Sequence, residues 1–467
     1  MRKMHKGGIT VFTVLSLSLV VGCLLALLEG TRSYELKHMA SLKSQAAIES
    51  SFARYNSGLW EKYRLLGNNI DQIKSIAEQC AGSGYVEKGL GTNFLMLKLK
   101  DVELLEYTLL TDGEGAAYIN AVSAYMEENI LFETAKTIYN QYEAIKDLIE
   151  NHSSDGTEIE SAIKSLEEVE KKARGGTQRS PLETIQKLQK TQLLELVVEN
   201  TDALSSLEYD LDEAVSYREL KEGKKSCIEE NDWLDRVFLQ QYLLTYLTDY
   251  TNQISNRGLN YELEYLIGGK NNDIENLREV VNQLLLIREA ANLAYLFSDV
   301  EKCQVAETLA WALAGATANA AIVEVVKIGL LVAWAFGESV LDVRALLLDC
   351  KIPIIKSKET WTLGIESLDQ IGSQYLVAKD CKNGISYKTY LGVLLLFQRE
   401  KELAGRAMDI QEIALLKEDG SVRFDQLVVR AKMRMVYECA PIFYVFGEAS
   451  SQEQLRQIVM EKTYGYY

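Results

Sequence analysis

Proline and histidine occur three times each in 467 residues, and bases are outnumbered by acids, 50 to 67. Each scarcity excludes something. So few prolines, with 30 glycines, punctuate the chain too sparsely for an all-β protein, whose turns recur about every 8–12 residues; helix should dominate. Histidine is limited to His5, His38 and His152, so a His-based metal centre or a Ser-His-Asp arrangement lacks material. The seven cysteines, Cys23, Cys80, Cys227, Cys303, Cys350, Cys381 and Cys439, contain no CxxC pair, which argues against zinc and thioredoxin-like redox work. A net charge of −17 repels phosphate backbones and forfeits the counterion release that drives nucleic-acid binding, so no nucleic-acid partner is expected.

Phosphate-binding glycine patterns are missing too. The stretch from Cys80 to Gly91 has neither GxxxxGK[ST] nor GxGxxG spacing and reads as a loop. Asp210, Asp212 and Glu213 lack the central glycine of an EF-hand loop. Glu262 and Glu264 are close in sequence, yet nothing around them marks a sugar-binding cleft. No catalytic residue, cofactor site or metal ligand is assigned, and a non-enzymatic protein is expected.

What is present begins at the N-terminus. Arg2, Lys3 and Lys6 form a basic leader over residues 1–8, and residues 9–28 then run uncharged for twenty positions. Twenty such residues at about 1.5 Å rise cross a hydrocarbon core of about 30 Å, and the basic flank holds its end in the cytoplasm. The expectation is one membrane crossing, N-terminus inside and the bulk of the chain extracytoplasmic. Residues 9–66 contain no proline, so the helix either continues outward as a stalk over residues 29–67 or breaks near Gly30 and packs back on the body. Glu29 closes the apolar run and Arg32 lies three positions on, close enough on a helix to pair at the interface; the two are either ordinary boundary charges or, in a pilin-like assembly, residues that set subunit register.

Two processing routes remain open beside a retained anchor. Val20-Val21-Gly22-Cys23 fits a lipoprotein box in which the Cys23 thiol is acylated, although an apolar Leu24-Leu25-Ala26-Leu27-Leu28 follows it. Gly7 and Gly8 offer a prepilin-type cleavage point, but Phe12 or Thr13 stands where a type IV pilin carries Glu at the fifth mature position.

Leu95, Leu97 and Leu99 alternate with Met96, Lys98 and Lys100, and residues 427–438 alternate through six periods from Leu427 to Glu438. Period two marks half-buried strands. Strands within residues 94–110 and 424–438 are therefore expected to share one small sheet in segments 68–112 and 421–467, with the helical middle inserted between them. Residues 113–226 carry helical spacing at Ile138, Tyr142, Ile145 and Ile149 and again at Ile159, Ile163, Leu166 and Val169, suiting helical hairpins or a short coiled coil. Residues 227–420 are more apolar, with no charge over residues 308–323. Glu307, Glu324, Lys327 and Glu338 leave no uncharged window of about twenty residues, so a buried helical core pair is expected there instead of a second crossing, with membrane contact as the alternative.

Several blocks carry a family resemblance. They are the leader with Gly8-Ile9-Thr10-Val11-Phe12, the close Leu27-Leu28-Glu29-Gly30-Thr31-Arg32, and the segment Tyr55-Asn56-Ser57-Gly58-Leu59-Trp60-Glu61-Lys62-Tyr63-Arg64-Leu65-Leu66-Gly67. Tyr107-Thr108-Leu109-Leu110-Thr111-Asp112, residues 284–292, residues 342–347 and residues 351–356 with Trp361 continue it. In these the chain resembles the uncharacterised TadE/TadG-like membrane proteins of clostridia and related Firmicutes, found with tight-adherence (Flp-type, type IV-like) pilus genes. The resemblance implies a pilus-locus surface protein, an accessory or minor pilin-like component whose partners are the membrane, pilin-like proteins and the pilus assembly machinery; it supplies no active site. The alternative is an extracytoplasmic binding protein anchored by lipid on Cys23.

Overall fold

The computed structural model describes residues 6–83, 97–130, 132–153, 193–228, 230, 232–254, 258–314, 319–372, 375–418, 420, 422–439 and 456–467. The fold is mainly α, with a long N-terminal apolar helix and a small antiparallel sheet, as the composition implies. Two units divide the chain. One is assembled from Met1–Ala124, Leu220–Glu230 and Arg423–Tyr467, the other from Tyr125–Glu219 and Asn231–Val422. In sequence the second is thus inserted within the first in two pieces, on either side of Leu220–Glu230.

In the first unit, helix α1 runs unbroken over Lys6–Phe52. Its two halves meet different surroundings. The large apolar side chains from Ile9 to Leu28 are exposed except Leu25, which is half-buried, whereas Leu36, Ala40, Ser44, Ala47, Ile48, Ser51 and Phe52 are buried. Steps of three and four keep that second set on one stripe of the helix, and it packs on a sheet. Strand β1 (Asn68–Asn69) is followed by α2's successor in the chain, helix α3; α2 spans Ser57–Tyr63 and α3 spans Ile70–Gly82. Strand β2 (Lys98–Leu109) pairs antiparallel with β3 (Leu427–Cys439), and β3 pairs antiparallel with β1 and with β4 (Arg456–Gly465). Because β1 and β2 both meet β3 at Val428, they lie on opposite edges of it, and β3 is the central strand.

The alternation in β3 is the reason for this layering. Ala431, Met433, Met435, Tyr437 and Cys439 are buried with Leu36, Ala40, Ala47 and Ile48 of α1 and with Ile73, Ala77 and Ala81 of α3. The opposite face is charged and half exposed, with Lys432 and Arg434 3.1 and 3.0 Å from Glu461, Arg434 3.3 Å from Glu103, and Lys100 2.7 Å from Glu438.

Several expectations are corrected here. The helix neither breaks at Gly30 nor extends to residue 66 as a stalk over residues 29–67. It lies on the sheet and stops at Phe52, whose carbonyl accepts the Tyr466 hydroxyl at 2.6 Å and whose ring meets Tyr464 and Tyr466 at 5.1 and 5.0 Å. Helix α2 is then started afresh by Asn56, whose side chain accepts the Leu59 N–H at 2.8 Å, and is ended by Arg64 at φ 56°. Cys80 to Gly82 are the last turn of α3 and not loop; residues 84–96, including the expected start of the first strand, lie outside the described residues. The second strand begins at Leu427, after a 3-10 turn over Phe424–Gln426.

In the second unit, α4 (Ala116–Asn129) enters from the first, and α5 (Phe132–Ser153) carries the Ile138 to Ile149 spacing. The spacing from Ile159 to Val169 lies outside the described residues. There follow α6 (Leu193–Val197), α7 (Trp233–Tyr246), α8 (Glu262–Gly268), α9 (Asp273–Ser298), α10 (Val300–Ala314), α11 (Ala320–Leu347), α12 (Tyr387–Leu396) and α13 (Glu400–Leu416). Capping residues start them where sequence rules ask: Asp232 with Asp235 makes a capping box on α7, and Asn272, Asn319 and Ser386 accept N–H groups at the starts of α9, α11 and α12. The expected buried pair is only half realised. Residues 329–347 of α11 are buried, but α10 leaves Val300, Val305, Trp311 and Leu313 in the open.

Candidate functional site

Helix α1 is long and apolar enough to cross a membrane, and none of its most apolar stretch is covered by the rest of the chain. Thr10, Thr13, Ser16 and Ser18 are the polar groups inside that stretch; the Thr13 hydroxyl donates to the Ile9 carbonyl at 2.8 Å and that of Ser18 to the Leu15 carbonyl at 2.9 Å. Helical hydroxyls so satisfied cost little in hydrocarbon. Where the apolar stretch ends, Glu29 and Arg32 come within 3.6 Å of each other. Arg32 is buried beside the sheet, near Cys439, whose thiol is pushed up by burial against the pull of Arg32 and Arg456. The next residue, Ser33, accepts a hydrogen bond from Arg456 at 2.9 Å. The charge pair therefore marks the point at which α1 leaves its apolar half and docks on β3 and β4.

The processing candidates sit elsewhere on the same helix. Gly7 and Gly8 are in its first turn, and Cys23 is exposed in mid-helix with α1 continuous on both sides. The structure does not bring either near the Glu29–Arg32 pair.

In the second unit three of the resemblance blocks converge on one buried charge network. Arg288 of α9 uses its whole donor fork: Nε and Nη2 bond the Asp342 carboxylate at 3.0 and 2.9 Å, Nη2 the Asn292 side chain at 3.3 Å, and Nη1 the carbonyls of Pro353 and Ile354 and the Tyr390 hydroxyl at 3.0, 2.8 and 3.0 Å. Lys356 stands between Asp342 and Glu338, 2.6 Å from each. Glu338 also accepts the N–H groups of Thr362 and Leu363 at 3.0 and 2.7 Å. All four charged side chains are 0% exposed, and two cations face two carboxylates. Burial lowers the affinity of Arg288 for its proton, but Tyr390 and Asp342 outweigh it and hold the group above its ordinary value. Burial and then the neighbouring Asp342 push Glu338 up, against the pull of Lys356.

Around this network Trp361 lies 5.7 Å from Trp334 and 5.4 Å from Tyr295, and the Lys302 ammonium sits 4.6 and 4.8 Å above the two indoles. Both indole N–H groups donate to the Leu363 carbonyl, at 2.8 and 2.7 Å. Arg344 ties α11 to three further segments through the carbonyls of Leu196, Leu376 and Ile371 at 2.7, 2.9 and 2.9 Å. The remaining block, residues 107–112, has its own task in the first unit. Asp112 accepts the N–H groups of Leu109 and Gly223 at 2.8 and 2.9 Å and the Ser226 hydroxyl. A Cβ on Gly223 would lie 2.5 Å from the Tyr107 carbonyl, so only glycine permits that approach.

The carboxylates weighed for chemistry have structural partners. Glu262 and Glu264 are fully buried on α8 and accept the N–H groups of Thr248 and Tyr250 at 2.9 and 2.8 Å. The Tyr387 hydroxyl donates to Glu264 at 2.7 Å; burial pushes this carboxyl up to about 8. Asp210 accepts the Asp212 N–H at 3.0 Å, an Asx turn. Among the described residues no group of three or more His, Cys, Asp or Glu side chains is arranged to hold a metal ion. Two clefts open in this unit, about 670 Å³ beside Val305, Leu309 and Ile365 and about 360 Å³ beside Tyr250, Tyr261 and Asp349. Neither is lined by the buried network or by Glu264.

Sequence reasoning found Arg288, Asp342 and Lys356 in separate blocks and Glu338 as a charge ending an uncharged run, but not the four as a set. The one signal available was a charged residue inside each otherwise apolar run, Arg288, Glu338 and Asp342, where an unpaired charge is too costly to bury.

Residues 171–439 match the family model described as "Family of unknown function (DUF5702)". No curated protein and no solved structure matches the chain. The matched span takes in the whole buried network and ends on the last residue of β3; it covers more than half of the chain, which belongs to this family.

Proposed function

We propose that this DUF5702 member is a membrane-anchored, non-enzymatic surface protein that serves as an accessory or minor pilin-like component of a tight-adherence, type IV-like pilus assembly system. The observation that supports this reading is the division of α1. One half is a bare apolar rod, and the other is laid along the buried face of an antiparallel sheet. A helix shared in this way between bilayer and sheet can pack sideways against other such helices while its sheet and the inserted helical unit stay outside.

The basic leader holds the N-terminus in the cytoplasm. The Glu29–Arg32 pair then stands at the outer boundary, where it limits how far the helix slides along a neighbour. The second unit, fixed by its internal ion network, is the surface offered to partners.

Two measurements test the reading. The first is the intact mass of the N-terminal peptide from the native membrane fraction. A peptide beginning at Met1 fits an assembly factor that stays in the membrane, one beginning after Gly7 or Gly8 fits a processed subunit, and one beginning at a diacylated Cys23 replaces the pilin-like reading with a surface lipoprotein. The second places a photo-crosslinking residue at Leu17 in the native host. Adducts with proteins carrying pilin-like apolar N-termini are expected; their absence rejects lateral packing.

A further inference from the structure

We propose that the end of the sheet marked by Lys98 of β2, Cys439 of β3 and Arg456 of β4 rests on the outer surface of the bilayer, where Arg456 holds the phosphate of an anionic phospholipid. The inference rests on the membrane-anchored reading of α1 and adds to it the lipid group that the first unit recognises.

Three contacts fix which end of the sheet faces the membrane. The Ser33 hydroxyl accepts from Arg456 at 2.9 Å, the Ser41 hydroxyl from Lys462 at 3.0 Å, and the Phe52 carbonyl from the Tyr466 hydroxyl at 2.6 Å. Position along α1 and position along the last strand rise together, so β4 starts beside the end of the bare apolar run and climbs away from it. The pairing of Lys98 with Glu438 and of Cys439 with Arg456 brings the matching ends of β2 and β3 to the same level.

Length then sets the depth. Residues 9–28 at about 1.5 Å each fill a hydrocarbon core of about 30 Å, and the headgroup layer adds about 5–8 Å on each side. About four or five further residues of the same unbroken helix cross that layer, which brings its outer edge to Ser33 and Tyr34. Tyr34 is 71% exposed, and tyrosine is enriched at this boundary. Arg456 bonds Ser33 and so lies at the same depth.

Charge identifies the ligand. Acids outnumber bases 67 to 50 over the chain, yet at this end the carboxylates are already engaged, Glu29 by Arg32 and Glu438 by Lys100. The Arg456 side chain is exposed and bonds the Ser33 hydroxyl, with no carboxylate on it among the described residues. A guanidinium fork with donors to spare matches phosphate oxygens in geometry and charge. Lys98, exposed at the same level, adds a further positive charge, so an anionic headgroup is favoured over a zwitterionic one.

The test reconstitutes the full-length chain in vesicles of equal parts phosphatidylglycerol and phosphatidylcholine, with a photo-crosslinking residue at Leu17, Gln457 or Thr463, and reads lipid adducts by mass spectrometry. Gln457 and Thr463 are both exposed on β4 and lie about 20 Å apart along it. Adducts are expected at Leu17 and Gln457 and not at Thr463, with phosphatidylglycerol about fivefold over phosphatidylcholine at Gln457. With the crosslinker at Gln457, R456Q is expected to level that ratio while keeping the parent's circular dichroism, and R456K to retain it. Adducts at Leu17 with none at Gln457, or equal yields at Gln457 and Thr463, overturn the inference and leave anchoring by α1 standing. A headgroup ratio at Gln457 that is even in the parent, or unchanged in R456Q, also overturns it. No adduct at Leu17 overturns the anchoring itself, and the inference with it.

Discussion

Arg288 and Asp342, 54 residues apart in the chain, meet at 2.9 Å with both side chains sealed from solvent. Asp342 is shared, since Lys356 also contacts it at 2.6 Å. Asp342→Ala therefore leaves Arg288 without a carboxylate and Lys356 with Glu338 alone, and breaking such a pair from one side typically costs about 3–5 kcal/mol. The urea midpoint of the detergent-solubilised chain, followed by tryptophan emission, is expected to fall accordingly. A midpoint within error of the parent would mean that the network is not closed to water.

Glu264 sets a pH dependence of known sign. Its folded value is raised to about 8 by burial, above the ordinary carboxyl value of 4.5 that it regains on unfolding. The protonated form is thus favoured in the fold, so this group's contribution is complete below about pH 4.5 and is lost as pH rises through about 8, by on the order of a few kcal/mol. Glu264→Gln, a neutral acid's nearest mimic, should flatten the decline between pH 5 and about 8. Thermal unfolding across that window checks it, and an unchanged slope in the variant assigns the decline elsewhere.

The docking of α1 on the sheet includes two buried polar contacts, the Asn68 side chain to the Ser51 carbonyl and Ser44 Oγ to Tyr437 Oη at 3.0 Å. Tyr437→Phe should cost about 1 kcal/mol, the net worth of one hydrogen bond. Met433→Ala, which opens a cavity in the same layer, should cost about 2–5 kcal/mol. Chemical denaturation ranks the two; equal losses would show that the layer relaxes around the missing methionine.

Leu19 lies in the exposed apolar half of α1. An arginine there faces a penalty of about 2.5–3.5 kcal/mol on insertion scales. Leu19→Arg is expected to raise the carbonate-extractable fraction of the chain, and full retention in the membrane pellet would argue that residues 9–28 are not what holds it.

The sheet was legible because its signal is local. Six alternations from Leu427 to Glu438 need no knowledge of what they pack against, and the observed burial follows them from Val429 onward, Val428 being buried as well. The membrane-length run was legible for the same reason. The end of α1 was not, because Phe52 is stopped by Tyr464 and Tyr466, 414 residues on in the case of Tyr466. Nor was the network: Arg288, Glu338, Asp342 and Lys356 are ordinary residues one at a time, and only the packing of α9 on α11 turns them into a set. Glu262 and Glu264 stood out as neighbours, yet i and i+2 on a helix do not face each other. Each instead holds its own N–H group of the preceding turn.

The insertion of one unit into the other has a consequence for synthesis. Ser44 and Tyr437 are separated by 393 positions, and β2 must wait for β3 across the entire inserted unit. While the chain is being made, the stripe formed by Leu36, Ala40, Ala47 and Ile48 has no strand to lie on. At synthesis rates of about 5–20 residues per second the delay is tens of seconds. Throughout it, the nascent protein carries a helix with a greasy flank, and whatever shields that flank is part of how this fold is reached.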